Sequence, residues 1–387
     1  MTVVRTFDLS RVGESGVHAI LYALRVDHES VRRHDLDEGS RVLTVELTGS
    51  AAADHVAAFI AGMVRTHRLI ARKVLHETRA ADLRAHDVDA ALAASPDVQI
   101  LGDGLVGLRG SLLALFRAFE RRFKRLADDF GAEEQHYPVM VPSQVLAEVG
   151  YLGHFPQHLT FCSHLPGSLP VLERVAARPD TLVSELAEPG HVLTPAVCLP
   201  CYRGQRGALI DGVRTLTMQN HVFRYEGANF RPLSRGWDFT VRDIVFFGGG
   251  ADLTRLRAEV MARAIDLCRE LDLEATIELA HDPFFLDASR DKAVYQRMGE
   301  VKYELLFPLP HRGESLAASS FNLHRDFYTS VYDTRRAGGE RAESACMGFG
   351  LERWVYGFLA QKGLDPKGWP PFTAPGDRGF SGAAATE

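Results

Sequence analysis

Apolar positions along the chain follow two periods. From Gly107 to Glu133 they recur at spacings of four and three: Leu112, Phe116, Phe119, Phe123 and Leu126 form one stripe, with Arg121, Lys124 and Arg125 elsewhere. That is the helical period, and it predicts a long amphipathic helix packed on a core. Ala251–Leu271 predicts a second helix, and Asp54–Leu75 an amphipathic helix with a basic end. Other stretches alternate. Ser40–Gly49 reads as a strand ending in a turn, and His136–Leu146 as a short strand broken at Pro142, a residue suited to a sheet edge or an interface. In His221–Glu226, Val222, Arg224 and Glu226 face one way and Phe223 and Tyr225 the other. Phe239–Phe247 is β-branched and aromatic, with Phe239, Val241 and Asp243 on one face. The connection between these two strands, Gly227–Asp238, is too long for a tight turn and carries Arg231 and Arg235. Forked guanidinium groups there suit a phosphate.

Leu273–Phe285 predicts a strand and turn, and Lys292–Leu309 and Ser315–Arg335 predict further strands. Glu343–Leu364 reads as strand, glycine turn and helix. Gly348 and Gly350 let a ligand approach the backbone, and Arg353 falls in the first helical turn, among amides aimed at an anion. Helices and strands interleave without regular βαβ alternation, so the fold class is α+β. Residues 1–76 form a small α+β unit that names no chemistry, 77–104 an Ala-rich linker or short helix, 105–364 the main domain and 365–387 a disordered tail rich in Pro, Gly and Ala.

Composition narrows the class. At 387 residues with 46% hydrophobic and 24% charged residues, the chain is an ordinary globular protein with ample core. A net charge of −6 argues against a protein that coats nucleic acid. No signal peptide opens the chain and no apolar run is long enough to span a bilayer. Five thinly spread cysteines suit a reducing cytoplasm. Cys198 and Cys201 form a C-x-x-C pair without a second pair, so paired redox chemistry and a single thiolate acting with distant ligands both stand. No G-x-G-x-x-G or P-loop is present, so a nucleotide site must be built another way. Arg224, Arg235 and Arg353, with Phe239 as a flat support, would hold a bent triphosphate.

These residues resemble a known family. FRYEG…RGWDFTVRDIVF looks like motif 2 of class II aminoacyl-tRNA synthetases, ACMGFGLERW like motif 3, and YPVMVPSQVL like the motif 1 strand, whose proline lies at a dimer interface. The resemblance covers about Leu105 to Leu364 and is closest to the seryl-tRNA synthetase-like branch that loads amino acids onto carrier proteins, supported by TPAVCLPCY, HDPFF, VKYELL and SSFNLHRDFY. It implies an antiparallel sheet flanked by helices, a homodimer, and two steps. ATP and an amino acid give an aminoacyl adenylate, then the aminoacyl group passes to a phosphopantetheine thiol. A seryl-like tRNA synthetase or tRNA-dependent biosynthetic enzyme, and an inactive paralogue that binds a partner, are the alternatives. No pair of long heptad helices precedes Leu105, which favours a protein acceptor over tRNA.

By the same resemblance, Arg224 grips the α-phosphate and Glu226 lies near the adenine and amino-acid pockets. Arg235 is the loop arginine, Phe239 stacks on adenine, and Arg353 meets the γ-phosphate. Lys302, Ser319 and Ser320 approach ATP, and Asn322 sits in the matching S-x-N element. The implied zinc ligands are Cys198, Asp243 and Cys346, three protein ligands with a fourth position left open, as in catalytic sites. Asp243 stands where the family has glutamate. Zinc would bind the substrate's amine, and a bulky side chain would compete for space, so a small amino acid is expected. Seryl enzymes carry a magnesium-binding glutamate near the position of Leu316, so magnesium is expected with ATP but its ligands here differ.

Overall fold

The computed structural model describes residues 2–37, 39–66, 73–81, 83–225, 230–280 and 299–372. Residues up to Thr66 form a unit with its own core: strands Val3–Asp8, Val31–Asp37 and Val42–Leu47, with Val42–Leu47 in the middle, and helices Glu14–Val26 and Ser50–Thr66. Leu9, Val17, Ile20, Leu24, Val45 and Ile60 are among its buried residues.

The rest is organised on an eight-stranded sheet. Its order in space is Val74–Thr78, Ala275–Leu279, Lys302–Leu309, Glu314–Arg325, Glu343–Gly350, Asp238–Gly248, Arg214–Phe223 and Glu133–Glu134. Every pairing is antiparallel except the last. Helices Gly110–Asp129, Gly250–Glu270 and Leu351–Lys362 pack on one face. The predicted helical stripe is what they bury: Leu112, Phe119 and Phe123 are interior, with Phe116 and Leu126 packed beside them. Phe119 and Phe123 both contact Trp354 of the Leu351–Lys362 helix.

Alternation decides which residues face those helices. In Asp238–Gly248, Ile244 and Phe246 join the helix-side core while Val245 and Phe247 join a second core on the opposite face. In Glu343–Gly350, Ala345, Met347 and Phe349 face the helices and Cys346 faces the second core. The two-residue period of a strand thus separates packing from the cavity side.

Three expectations need correction. Residues 77–104 are not a linker. Val74–Thr78 is an edge strand of the main sheet, and Val88 and Leu92 of helix Val88–Ala94 sit in the main core. The hairpin of Val98–Gly102 and Leu105–Leu108 docks on the loop before Asp238, where the Trp237 amide donates to the Gly104 carbonyl at 2.9 Å. Ordered chain also continues past Leu364: Phe372 is buried against Phe119 and Phe358, while residues 373–387 lie outside the described set. Finally, Ser315–Arg335 is not strand throughout. The strand ends at Arg325, whose φ of 54° breaks the extended backbone, and helix Phe327–Val331 follows. The expected turn His281–Phe285 lies outside the described residues.

Candidate active site

The cavity-side face of the sheet opens into one cleft of about 800 Å³. Arg224, Arg235, Phe239, Lys302, Ser319, Ser320, Arg353, Cys198, Asp243 and Cys346 all line it. Glu226 lies outside the described residues. Residues 155 positions apart in sequence, Cys198 to Arg353, therefore meet in one space: Phe239, Asp243, Lys302, Ser320 and Cys346 come from neighbouring strands, Cys198 from the start of helix Leu199–Gly204 and Arg353 from helix Leu351–Lys362.

Phe239 is the plate of one end. The Arg224 guanidinium carbon lies 5.6 Å from its ring centroid and that of Arg353 5.9 Å. Both distances are those of a cation resting on an aromatic face. Each guanidinium is also tethered. Arg224 Nε donates to the Pro195 carbonyl at 2.9 Å, and Arg353 donates to the carbonyls of Ser234 and Ala317, each at 3.1 Å. Anchored cations of this kind meet new negative charge with little reorganisation. Arg231 and Arg235 exchange backbone hydrogen bonds at 2.9 and 3.0 Å, which closes the loop between them.

Along the floor, Lys302 pairs across the strands with Asn322, and Glu304 with Ser320. Lys302 Nζ lies 3.0 Å from Glu304 Oε1, and Asn322 Nδ2 donates to Ser320 Oγ at 3.2 Å. Ser319 differs from its neighbour. Its hydroxyl turns to the helix side and accepts from Trp354 Nε1 at 2.8 Å. Adjacent strand residues point oppositely, so the two serines cannot both present their hydroxyls to the cleft.

At the other end, one ligand atom from each of Cys198, Asp243 and Cys346 lies within 4.8 Å of the others, and all three residues are buried. Tetrahedral zinc holds thiolate sulfurs at about 2.3 Å, which puts two of them about 3.8 Å apart, so this spacing fits the ion. Burial pushes the Asp243 carboxyl up to about 6, against hydrogen bonds from Cys346 and Cys198 and the charge of Arg224 that lower it. The hydrogen bond with Cys198, then burial and the charge of Asp243, push the Cys346 thiol well up. Two sulfur atoms and a carboxylate in one buried cluster are the kind of donor set a divalent cation takes. The backbone makes room for them: a Cβ on Gly348, cross-strand from Asp243, would stand 2.8 Å from Asp243 Oδ1. Cys201 is buried outside this cluster, and burial holds its thiol well above the usual value.

Sequence reasoning missed an aromatic wall. His324, Phe327 and Tyr328 line the cleft, Tyr202 stacks on Tyr328 at 4.0 Å, and the Tyr202 hydroxyl meets His324 Nδ1 at 3.1 Å. The phrase SSFNLHRDFY held this signal, but as a strand-like run it gave these side chains no direction. Tyr22, Tyr151 and His158 were also missed.

An amino acid–[acyl-carrier-protein] ligase of Bradyrhizobium diazoefficiens is 30% identical over 265 residues, covering 66% of this chain and 81% of that protein. The chain belongs to the family of amino acid–[acyl-carrier-protein] ligases and type-2 serine–tRNA ligases. The family's other arm is represented by the type-2 serine–tRNA ligase of Methanothermobacter thermautotrophicus, 28% identical over 277 residues. The chain spans only about half of that relative, 54% of its length. No family model matches. In three dimensions, the M. kandleri SerRS crystallised with A. aeolicus tRNASec matches with a TM-score of 0.70 at 20% identity, over 95% of this chain and 76% of that one. A Naegleria fowleri cytoplasmic serine–tRNA ligase with AMP matches at 0.59 and 11% identity. The fold is accordingly that of a class II synthetase catalytic domain, the α+β architecture expected, and the family's members are ligases.

Proposed function

We propose that this chain is an adenylate-forming ligase that activates a small amino acid with ATP and passes it to the thiol of a phosphopantetheinylated carrier protein. What carries the reading is a single strand face. Phe239, between two tethered arginines, and Asp243, beside two cysteines, sit four residues apart and open into one cleft.

Adenine would lie on Phe239 with Arg353 across the plate and towards the γ-phosphate. Arg224 would meet the α-phosphate, where the amino acid's carboxylate attacks and pyrophosphate leaves. Arg235 and Lys302 add positive charge along the same wall, and Ser320 offers a hydroxyl. Negative charge grows on the phosphoryl oxygens in that step, and fixed cations stabilise it. Glu226 is assigned to the adenine and amino-acid pockets by its motif alone. Cys198, Asp243 and Cys346 would hold zinc, which supplies a Lewis-acid seat for the substrate's free amine. His324, Phe327 and Tyr328 crowd the same cleft and favour a small side chain. Magnesium would accompany ATP, but Leu316 packs against the apolar core and offers it no carboxylate.

For the acceptor, two observations favour a protein. The N-terminal unit carries nearly equal numbers of acidic and basic residues, a poor footprint for a phosphate backbone. The carrier-protein ligase relative is also covered over 81% of its length, against 54% for the serine–tRNA ligase. The second reading, transfer to tRNA, draws support from the tRNA-bound SerRS fold, which extends over 95% of this chain. A homodimer would cover the half-exposed Met140 and Phe161 on the three-stranded sheet that contains Pro142. No helix among the described residues is long and apolar enough to cross a membrane, and five free cysteines suit a reducing cytoplasm.

Pyrophosphate exchange across all amino acids, with and without zinc, followed by transfer to holo-carrier protein or tRNA, tests this reading. Exchange is expected with a small amino acid, transfer with the carrier protein. Cys346→Ala should lose exchange together with its zinc. Full exchange by that variant would remove the metal's role, and transfer to tRNA alone would establish the second reading.

A further inference from the structure

The first helix of the N-terminal unit, Glu14–Val26, reaches the cleft. Ala19 and Tyr22 are among its lining residues. Tyr22 is outside the apolar core of its own unit, to which Val17, Ile20 and Leu24 of the same helix belong, yet it is only 8% exposed. Contacts with the catalytic domain account for that burial. The Tyr22 hydroxyl lies 2.9 Å from His158 Nε2, and the Arg235 guanidinium carbon stands 5.8 Å from the Tyr22 ring centroid.

His158 is a junction. Its Nδ1 lies 3.3 Å from the Tyr151 hydroxyl, its ring stacks on Phe155 at 5.4 Å, and its carbonyl accepts from the Tyr225 amide at 3.0 Å, next to Arg224. A neutral imidazole has one N–H, so one of its tyrosine partners donates and the other accepts. One helical turn beyond Tyr22, Arg25 shares its face. Burial and the nearby charges of Arg235 and Arg231 hold the Arg25 guanidinium below its usual range. Three guanidinium groups thus lie near one another, with Arg235 lining the cleft and Glu314, 3.6 Å from Arg231, countering the other two.

We propose that the N-terminal unit caps the nucleotide end of the cleft and that Tyr22 is a positioning residue whose ring fixes Arg235. The inference rests on the proposed ATP site and adds a residue that no class II motif contains. An Arg235 without its platform samples more rotamers before it meets phosphate, so ATP affinity suffers while the chemical step does not.

The test uses the full chain, with ATP binding measured by calorimetry and ATP KM by pyrophosphate exchange. Removing a cation–π platform predicts that Tyr22→Leu weakens ATP roughly five- to tenfold, with kcat and the amino-acid KM unchanged. Tyr22→Phe keeps the ring and should restore ATP affinity to within about twofold of the native chain. In an Arg235→Leu background, Tyr22→Leu should add no further loss, since the two side chains act as one unit. The cap is overturned if Tyr22→Leu binds ATP as the native chain does, if the two losses simply add, or if kcat falls at constant KM. Failure of the native chain itself to bind ATP would instead overturn the nucleotide site, and the cap with it.

Discussion

Gly348 is the position at which one missing methyl group decides the site. Its cross-strand neighbour is Asp243, and an added Cβ would press on the carboxylate at 2.8 Å from Oδ1. Gly348→Ala should therefore displace Asp243, one of the three proposed metal ligands, without disturbing the helix-side core. Zinc affinity is expected to fall about 10- to 100-fold, read by chelator competition, with the far-ultraviolet spectrum unchanged. Arg353, by contrast, is proposed to work by charge rather than by space. Arg353→Ala removes a tethered cation from the Phe239 plate, and kcat/KM for pyrophosphate exchange should drop about 100- to 1,000-fold. Most of these side chains were legible as letters, because the arginines, Phe239 and the cysteines fall inside compact motifs. Their direction was not always legible. Ser319 and Ser320 look equivalent in sequence, but a bulge that leaves Ala318 unpaired shifts the register of the strand, and the hydroxyl of Ser319 is the one committed to Trp354.

Among the elements, the helix Gly110–Asp129 was plain from periodicity, and the strands Asp238–Gly248 and Glu343–Gly350, buried on both faces, were plain from their composition and glycine punctuation. The edge strand Val74–Thr78 and the hairpin at Val98–Leu108 were not. They are short, and their burial comes from docking against elements far along the chain, which local pattern cannot report. Contacts such as Tyr22 with His158, 136 residues apart, are invisible for the same reason. What holds the motif 3 helix in place is aromatic packing. Phe119 touches Phe123, Trp354, Phe358 and Phe372 and is fully buried. Phe119→Ala is expected to destabilise the fold by about 3–5 kcal/mol through the cavity it leaves, measured by denaturant unfolding.

For the molecule as a whole, one partly buried acid ties stability to pH. Glu352 accepts from the Thr240 amide with both oxygens, at 3.0 and 2.8 Å, and burial pushes its carboxyl up to about 7. In the unfolded chain it titrates near 4.5. Between those values the folded state binds more protons than the unfolded one, so the stability this group contributes is present at low pH and lost as pH rises towards 7. Melting curves from pH 4.5 to 7 should show native stability declining relative to Glu352→Gln; parallel curves would refute the assignment.

The division of labour across the great sheet has an evolutionary corollary. Consecutive letters in Glu343–Gly350 answer to different masters: Ala345, Met347 and Phe349 to the helix-side core, Cys346 and Gly348 to the cleft. A saturation scan through this stretch should beat in twos, one step losing turnover in a chain that still folds, the next losing the fold itself. A lineage could then retune its substrate by touching every second codon, and a single inserted residue would invert the whole score.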